Sequence, residues 1–143
     1  MIKLIKKWSQ VFNLPISNKK QLISEERMIF CLSLIEEEVK ELKEGVENKD
    51  IIEIQDALGD ILWVTIRKMM ELGIDPKETI KAIYTSNMSK GDYSEEDALK
   101  TRDKYLKEGI STFFIKDNDF YITCRTSDNK VLKSCNFKEP IFK

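Results

Sequence analysis

Glu36-Glu37-Glu38-Val39-Lys40-Glu41-Leu42 and, further on, Asp56-Ala57-Leu58-Gly59-Asp60 both lie in segments with helical periodicity. Positions three or four apart share a helix face, so Glu38 and Glu41 point the same way, and so do Asp56 and Asp60. The second pair adjoins an apolar run, Ile61-Leu62-Trp63-Val64. A carboxylate buried there must be neutral, paired or metal-bound, because an isolated buried charge is costly. Four such carboxylates on two adjacent helices would form an all-oxygen cage of the kind Mg2+ takes. The competing reading of the acidic run is a solvated helix face, with Lys40 and Lys43 pairing some of the acids. For Asp60 it is a salt bridge to Arg67 or Lys68.

Around this pair the pattern predicts a mainly α chain. Met28, Leu32, Ile35, Val39, Leu42 and Val46 follow heptad spacing. They predict one long helix from near Lys20 to about Asn48, with a seam suited to a bundle or a dimer. Asp50 is placed to cap the next helix, with Glu53 as its capping partner. That helix runs from Ile51 to about Leu72 and closes at Gly73. Its core stripe is expected to be Ile54, Leu58, Ile61 or Leu62, Thr65 and Met69. The small Ala57 and Gly59 should let the facing helix approach closely.

Upstream, Ile2 to Phe12 reads as an amphipathic helix with Leu4, Trp8, Val11 and Phe12 on one face. Trp8 and Phe12 are either core residues or the floor under a ligand's ring. Downstream, Asp75-Pro76-Lys77-Glu78 starts a helix to about Ser89. Its end, Ser86-Asn87-Met88-Ser89-Lys90, offers hydrogen bonds and one positive charge to a phosphate or sugar, although such residues commonly end helices. Ser94 opens a fifth helix to about Lys107, closed by Gly109. Ser111–Lys116 and Phe120–Arg125 read as a β-hairpin across Asp117-Asn118-Asp119, with Lys130–Lys133 a candidate third strand. The expected organisation is a helical core over 1–91 and an extension of the same domain over 92–143.

Composition narrows the chemistry. The chain has 143 residues, 24 Lys and Arg against 25 Asp and Glu, and a formal net charge of -1. No basic excess exists to hold a nucleic-acid backbone. There is no histidine, which removes His-based zinc sites and Ser-His-Asp triads. Acid–base work would fall to carboxylates, Lys, Tyr or metal-bound water. Cys31, Cys124 and Cys135 are far apart and read as buried apolar thiols of a reducing compartment. No signal peptide or membrane span is evident, so the expected location is the cytoplasm.

Leu34-Ile35-Glu36-Glu37-Glu38-Val39-Lys40-Glu41-Leu42 followed by Asp56-Ala57-Leu58-Gly59-Asp60-Ile61-Leu62 resembles the EExxE…ExxD pattern of the all-α nucleoside triphosphate pyrophosphohydrolases. That superfamily includes MazG, dimeric dUTPase and phosphoribosyl-ATP pyrophosphohydrolase. Ser86-Asn87-Met88-Ser89-Lys90 and Asp128-Asn129-Lys130-Val131-Leu132-Lys133 look like the phosphoribosyl-ATP pyrophosphohydrolase-like, MazG-like branch of bacteria and phages. The family's ExxD glutamate falls on Ala57, so Asp56 or Glu53 would supply the fourth carboxylate. Asn129 stands for the usual tail glycine and tolerates the same left-handed turn.

The resemblance implies a Mg2+ (or Mn2+) enzyme that cleaves a nucleoside triphosphate between its α- and β-phosphates. It implies Glu38, Glu41, Asp56 and Asp60 as metal ligands, and Glu37 as the residue orienting or deprotonating water. Asn87 and Lys90 would hold phosphate or sugar, and Lys130 and Lys133 would close over the phosphates. Trp8, Phe12 and Trp63 are candidates for the base pocket. A homodimer or homotetramer is expected. Two alternatives stay open: dUTPase-type specificity on the same fold, and a non-catalytic helical dimerisation module.

Overall fold

The computed structural model describes residues 1–142. The elements are α1 (Ile2–Val11), α2 (Glu25–Asn48), α3 (Ile51–Glu71), α4 (Pro76–Met88), α5 (Glu95–Lys107), β1 (Thr112–Asp117) and β2 (Phe120–Arg125). The chain is therefore mainly helical with a small antiparallel sheet near its C-terminus. By internal contacts it forms two compact units, Met1–Lys77 and Glu78–Lys143.

In the first unit α2 and α3 form an antiparallel helical hairpin. Lys49, at φ 55°, ends α2 in the left-handed region. Asp50 then caps α3, its Oδ1 accepting from the N–H groups of Ile52 (2.9 Å) and Glu53 (3.2 Å). The helices come close at Gly45, where a Cβ would lie 3.0 Å from the Ile54 nitrogen. Ala57 is fully buried as expected, but a Cβ at Gly59 would meet nothing within 4 Å. The close approach belongs to Gly45.

α2 begins at Glu25, not near Lys20. Ser24 is its cap, accepting from the Arg27 N–H at 3.3 Å, with Glu25 and Glu26 at the positive end of the helix. The preceding loop is strapped to the end of α3 instead. The Ser17 N–H donates to the Met70 carbonyl (2.9 Å) and the Gln21 N–H to that of Leu72 (3.0 Å). Gly73, at φ +67°, is required there, because a Cβ would fall 2.0 Å from the Lys19 carbonyl oxygen.

Three expected faces are displaced. The heptad seam of α2 is not its buried face: Leu32 and Val46 are more than half exposed, while the buried positions are Cys31 and Gly45. In α3 Leu58 and Leu62 point outward, and the buried set is Ala57, Ile66, Arg67, Lys68, Met70 and Glu71. In α1 Leu4, Val11 and Phe12 are exposed and Ile5 and Ser9 are buried. The core of this unit is Ile5, Ile66 and Met70, flanked by Ile2, Ile16 and Trp63. Each fully buried aliphatic side chain contributes about 1.5–3 kcal/mol relative to exposure. Trp63 packs against that core, and half-buried Trp8 meets it edge-on with ring centroids 5.5 Å apart.

In the second unit α5 packs one face, Ala98, Thr101 and Tyr105, against the hairpin. The strands pair from Thr112↔Arg125 to Asp117↔Phe120, turning at Asn118 with φ 53°. The third strand reduces to one bridge, Cys124↔Val131, preceded by Asn129 in the left-handed region. The tail is held by hydrogen bonds converging on buried Asp92. Its carboxylate accepts from Thr101 Oγ1 (2.9 Å) and from Ser134 Oγ. Its backbone exchanges two bonds with Tyr121. Cys31 and Cys124 are buried free thiols, but Cys135 is exposed. Among the described residues, no helix is long and apolar enough to cross a membrane.

Candidate active site

The antiparallel register of α2 and α3 is marked by two contacts, Gly45 with Ile54 at one end and Arg27 with Glu71 at the other. Interpolating between them sets Glu38 opposite Asp60, and Cys31 opposite Arg67. Two charged groupings therefore share one helix pair.

The first grouping contains the motif carboxylates. Glu37, Glu41, Asp56 and Asp60 are exposed, so burial of Asp60 beside the apolar run does not occur. The buried acid is Glu38. It is half-buried as a residue, yet its Oε2 is shut off from solvent and has no hydrogen-bond partner. Burial first, and then the like charges of Glu41, Asp60, Glu37 and Asp56, push its carboxyl above the usual range. Glu53 packs over Gly45, its Cγ 3.2 Å from where a Cβ there would stand, one helical turn from Asp56. The donors are all hard oxygens, and an orphaned buried carboxylate oxygen is what a missing divalent cation would leave behind. Among the described residues, however, no three His, Cys, Asp or Glu side chains are gathered closely enough to hold a metal ion as they stand.

The second grouping was not anticipated. Arg67 and Lys68 do not pair with Asp60; they turn to Glu71. Lys68 Nζ donates to Glu71 Oε2 at 2.8 Å, and Arg67 Nη1 lies 3.6 Å from the same oxygen. From α2, Arg27 reaches Glu71 with Nε at 2.7 Å and Nη2 at 3.3 Å. Burial pulls the Glu71 carboxyl upward, but the bonds from Arg27 and Lys68 outweigh it and hold the group below the usual carboxylate range. The Arg67–Lys68–Glu71 spacing was a readable signal for half of this cluster, since i,i+3 and i,i+4 partners meet on a helix. Elsewhere on α2, Lys40 pairs with Glu44 at 3.4 Å on the surface.

The remaining predicted residues lie in the second unit. Asn87 is exposed and Lys90 half-buried at the end of α4. The serines beside them are committed to the tail: Ser86 Oγ donates to the Lys138 carbonyl at 2.8 Å, and Ser89 Oγ accepts from the Lys138 N–H at 2.9 Å. Lys133 is paired with Glu139 at 2.8 Å and sits 4.1 Å from the Phe137 ring centroid. Lys130 is exposed, its N–H donating to Asp128 Oδ1 at 3.2 Å. Asp128 itself is drawn down to about 2, chiefly by its hydrogen bonds from Arg125. Of the base-pocket candidates, Trp8 lies between Phe12, at 4.7 Å, and Trp63. Phe12 is 59% exposed, so it is not a core residue.

Among curated proteins, none matches the chain. The family model described as phosphoribosyl-ATP pyrophosphohydrolase matches residues 5–87, more than half of the chain, from α1 almost to the end of α4. The match takes in both carboxylate helices and implies hydrolysis of a pyrophosphate bond in a nucleotide. The chain belongs to the phosphoribosyl-ATP pyrophosphohydrolase family, within the MazG-like all-α nucleoside triphosphate pyrophosphohydrolases.

Proposed function

We propose that the chain is a Mg2+-dependent pyrophosphohydrolase that splits a nucleoside triphosphate, or a phosphoribosyl-ATP-like nucleotide, into the monophosphate and pyrophosphate. The observation that carries this reading is Glu38 Oε2, buried and unpartnered, with four further carboxylates acting on it. Glu38, Glu41, Asp56 and Asp60 would hold the cation; Asp56 is preferred to Glu53 because Glu53 is packed over Gly45. When bound, the cation supplies charge neutralisation on the phosphate oxygens. Glu37, exposed beside Glu38, orients the attacking water and accepts its proton. Asn87 and Lys90 contact phosphate or sugar. Lys130 and Lys133, in the second unit, are proposed as further phosphate-binding residues. Half-exposed Leu32, Val46, Leu58 and Leu62 supply an apolar face on α2 and α3 that a homodimer or homotetramer would cover.

A panel of NTPs and dNTPs assayed for pyrophosphate release with Mg2+ tests the reading. Glu38→Gln and Asp60→Asn are expected to abolish release with unchanged helical circular dichroism. Mg2+ should also raise the melting temperature of the wild type and leave that of Glu38→Gln unmoved. Full activity in either variant would overturn the ligand set.

A further inference from the structure

We infer that Arg27, Arg67 and Lys68 form an anion-binding site of phosphate chemistry, which Glu71 occupies as an internal counter-ion when no ligand is present. The first support is charge imbalance: these three cations converge on the single carboxylate of Glu71. Arg67, Lys68 and Glu71 are all more than nine-tenths buried, so the surplus positive charge is poorly screened by water. The second is an open donor. Arg67 Nη1 is shut off from solvent and makes no hydrogen bond, its nearest carboxylate oxygen being 3.6 Å away. A buried guanidinium with unused donors is an incomplete arrangement. A tetrahedral oxyanion completes it, because its oxygens accept from a guanidinium fork and an ammonium together.

The third support is access. Glu71 is also a wall of a cavity of about 400 Å³, lined by Pro15, Ser17, Lys19 and Gln21 among others. That volume falls in the range of small-molecule sites, and Lys19 brings a further positive charge to its lining. Glu71 is the residue shared by the cavity and the cation cluster. An anion entering the cavity would displace Glu71 from part of its bonding and take up the donor that Arg67 leaves open. The carboxylate thus sets the affinity, as a competitor already in place.

The test is binding of inorganic phosphate and of pyrophosphate, in separate arms, to the whole chain in chelator without divalent metal. Its outcome is therefore independent of the hydrolase reading. Calorimetry and melting temperature should both report saturable binding at constant ionic strength. Arg67→Met should weaken it roughly tenfold or more, the usual effect of losing a charge-assisted bond. Glu38→Gln should bind like the wild type. Glu71→Gln should bind more tightly, its melting temperature recovering as phosphate is added. If Arg67→Met fails to fold, Arg67→Lys, which keeps the charge and loses the fork, should show the weakening instead. Binding of pyrophosphate alone would assign the site to a polyphosphate tail, and of both anions to free phosphate as well. No saturable binding to the folded wild type, or equal binding by the Arg67 variant, would overturn the inference.

Discussion

The two ends of the α2–α3 pair solve one problem in opposite ways. Each has an acid that helix packing removes from water. At one end Glu71 is met by Arg27 and Lys68 at hydrogen-bond distance, with Arg67 close behind. At the other, Glu38 is surrounded by acids, and one of its oxygens has no partner. The first end is closed by the chain's own cations and even over-supplied with them. The second is left in deficit. A deficit of positive charge thus stands seven residues from a surplus, roughly 10 Å along α3. The proposed cation would answer the deficit, and the inferred phosphate group the surplus.

The contrast between the two ends is largest at Glu71. Glu71→Leu removes the carboxylate that Arg67 and Lys68 share and puts an apolar side chain of similar reach in its place. Stranding buried cations in this way is expected to cost about 3–5 kcal/mol, read as a fall in the urea midpoint in phosphate-free buffer. A loss under 1 kcal/mol, roughly the worth of a surface pair, would mean that the cluster is solvated and the two ends are alike.

A smaller effect separates the ends by pH. The Glu71 carboxyl titrates below its unfolded value. Its contribution is thus fully present above the ordinary carboxylate range and is lost as pH falls through the folded value. Urea midpoints followed downward from about pH 6 should steepen below about pH 4, and that part of the acid limb should be missing in Glu71→Gln. An identical limb in both proteins would remove Glu71 as its source.

How far these ends were legible depends on whether their signals are local. Asp50, Ser94, Pro76, Gly109 and Asn129 act within a few residues of themselves, and each was readable as a cap or a turn. The start of α2 was not, because the preceding loop is tied by a bond from Gln21 to Leu72, about two thirds of the first unit away in sequence. The buried faces of α2 and α3 were misplaced for a different reason. Hydrophobic patterning discounts charged positions, yet Arg67, Lys68 and Glu71 lie on the buried face, where both cations turn to the Glu71 carboxylate. With them excluded, the apolar stripe shifts onto Leu58 and Leu62, which are half-exposed. The carboxylate motif was readable from spacing. That the buried member is Glu38 rather than Asp60 depends on interhelical register, which Gly45 sets and no local pattern discloses.

That register yields the sharpest contrast, although its energy is small. Glu38→Leu deletes an orphaned oxygen and a like charge together. Replacing an unsatisfied buried group by an apolar one of similar size is nearly neutral or stabilising. In chelator the variant should be as stable as the wild type or better by up to about 1 kcal/mol, opposite in sign to Glu71→Leu three turns away on the partner helix. The same variant should gain nothing from Mg2+. Urea denaturation of both variants, with and without the cation, therefore sorts the ends by sign rather than by size. Clear destabilisation of metal-free Glu38→Leu would show that this carboxylate is already satisfied by the folded chain, and the deficit that defines its end of the helix pair would not exist.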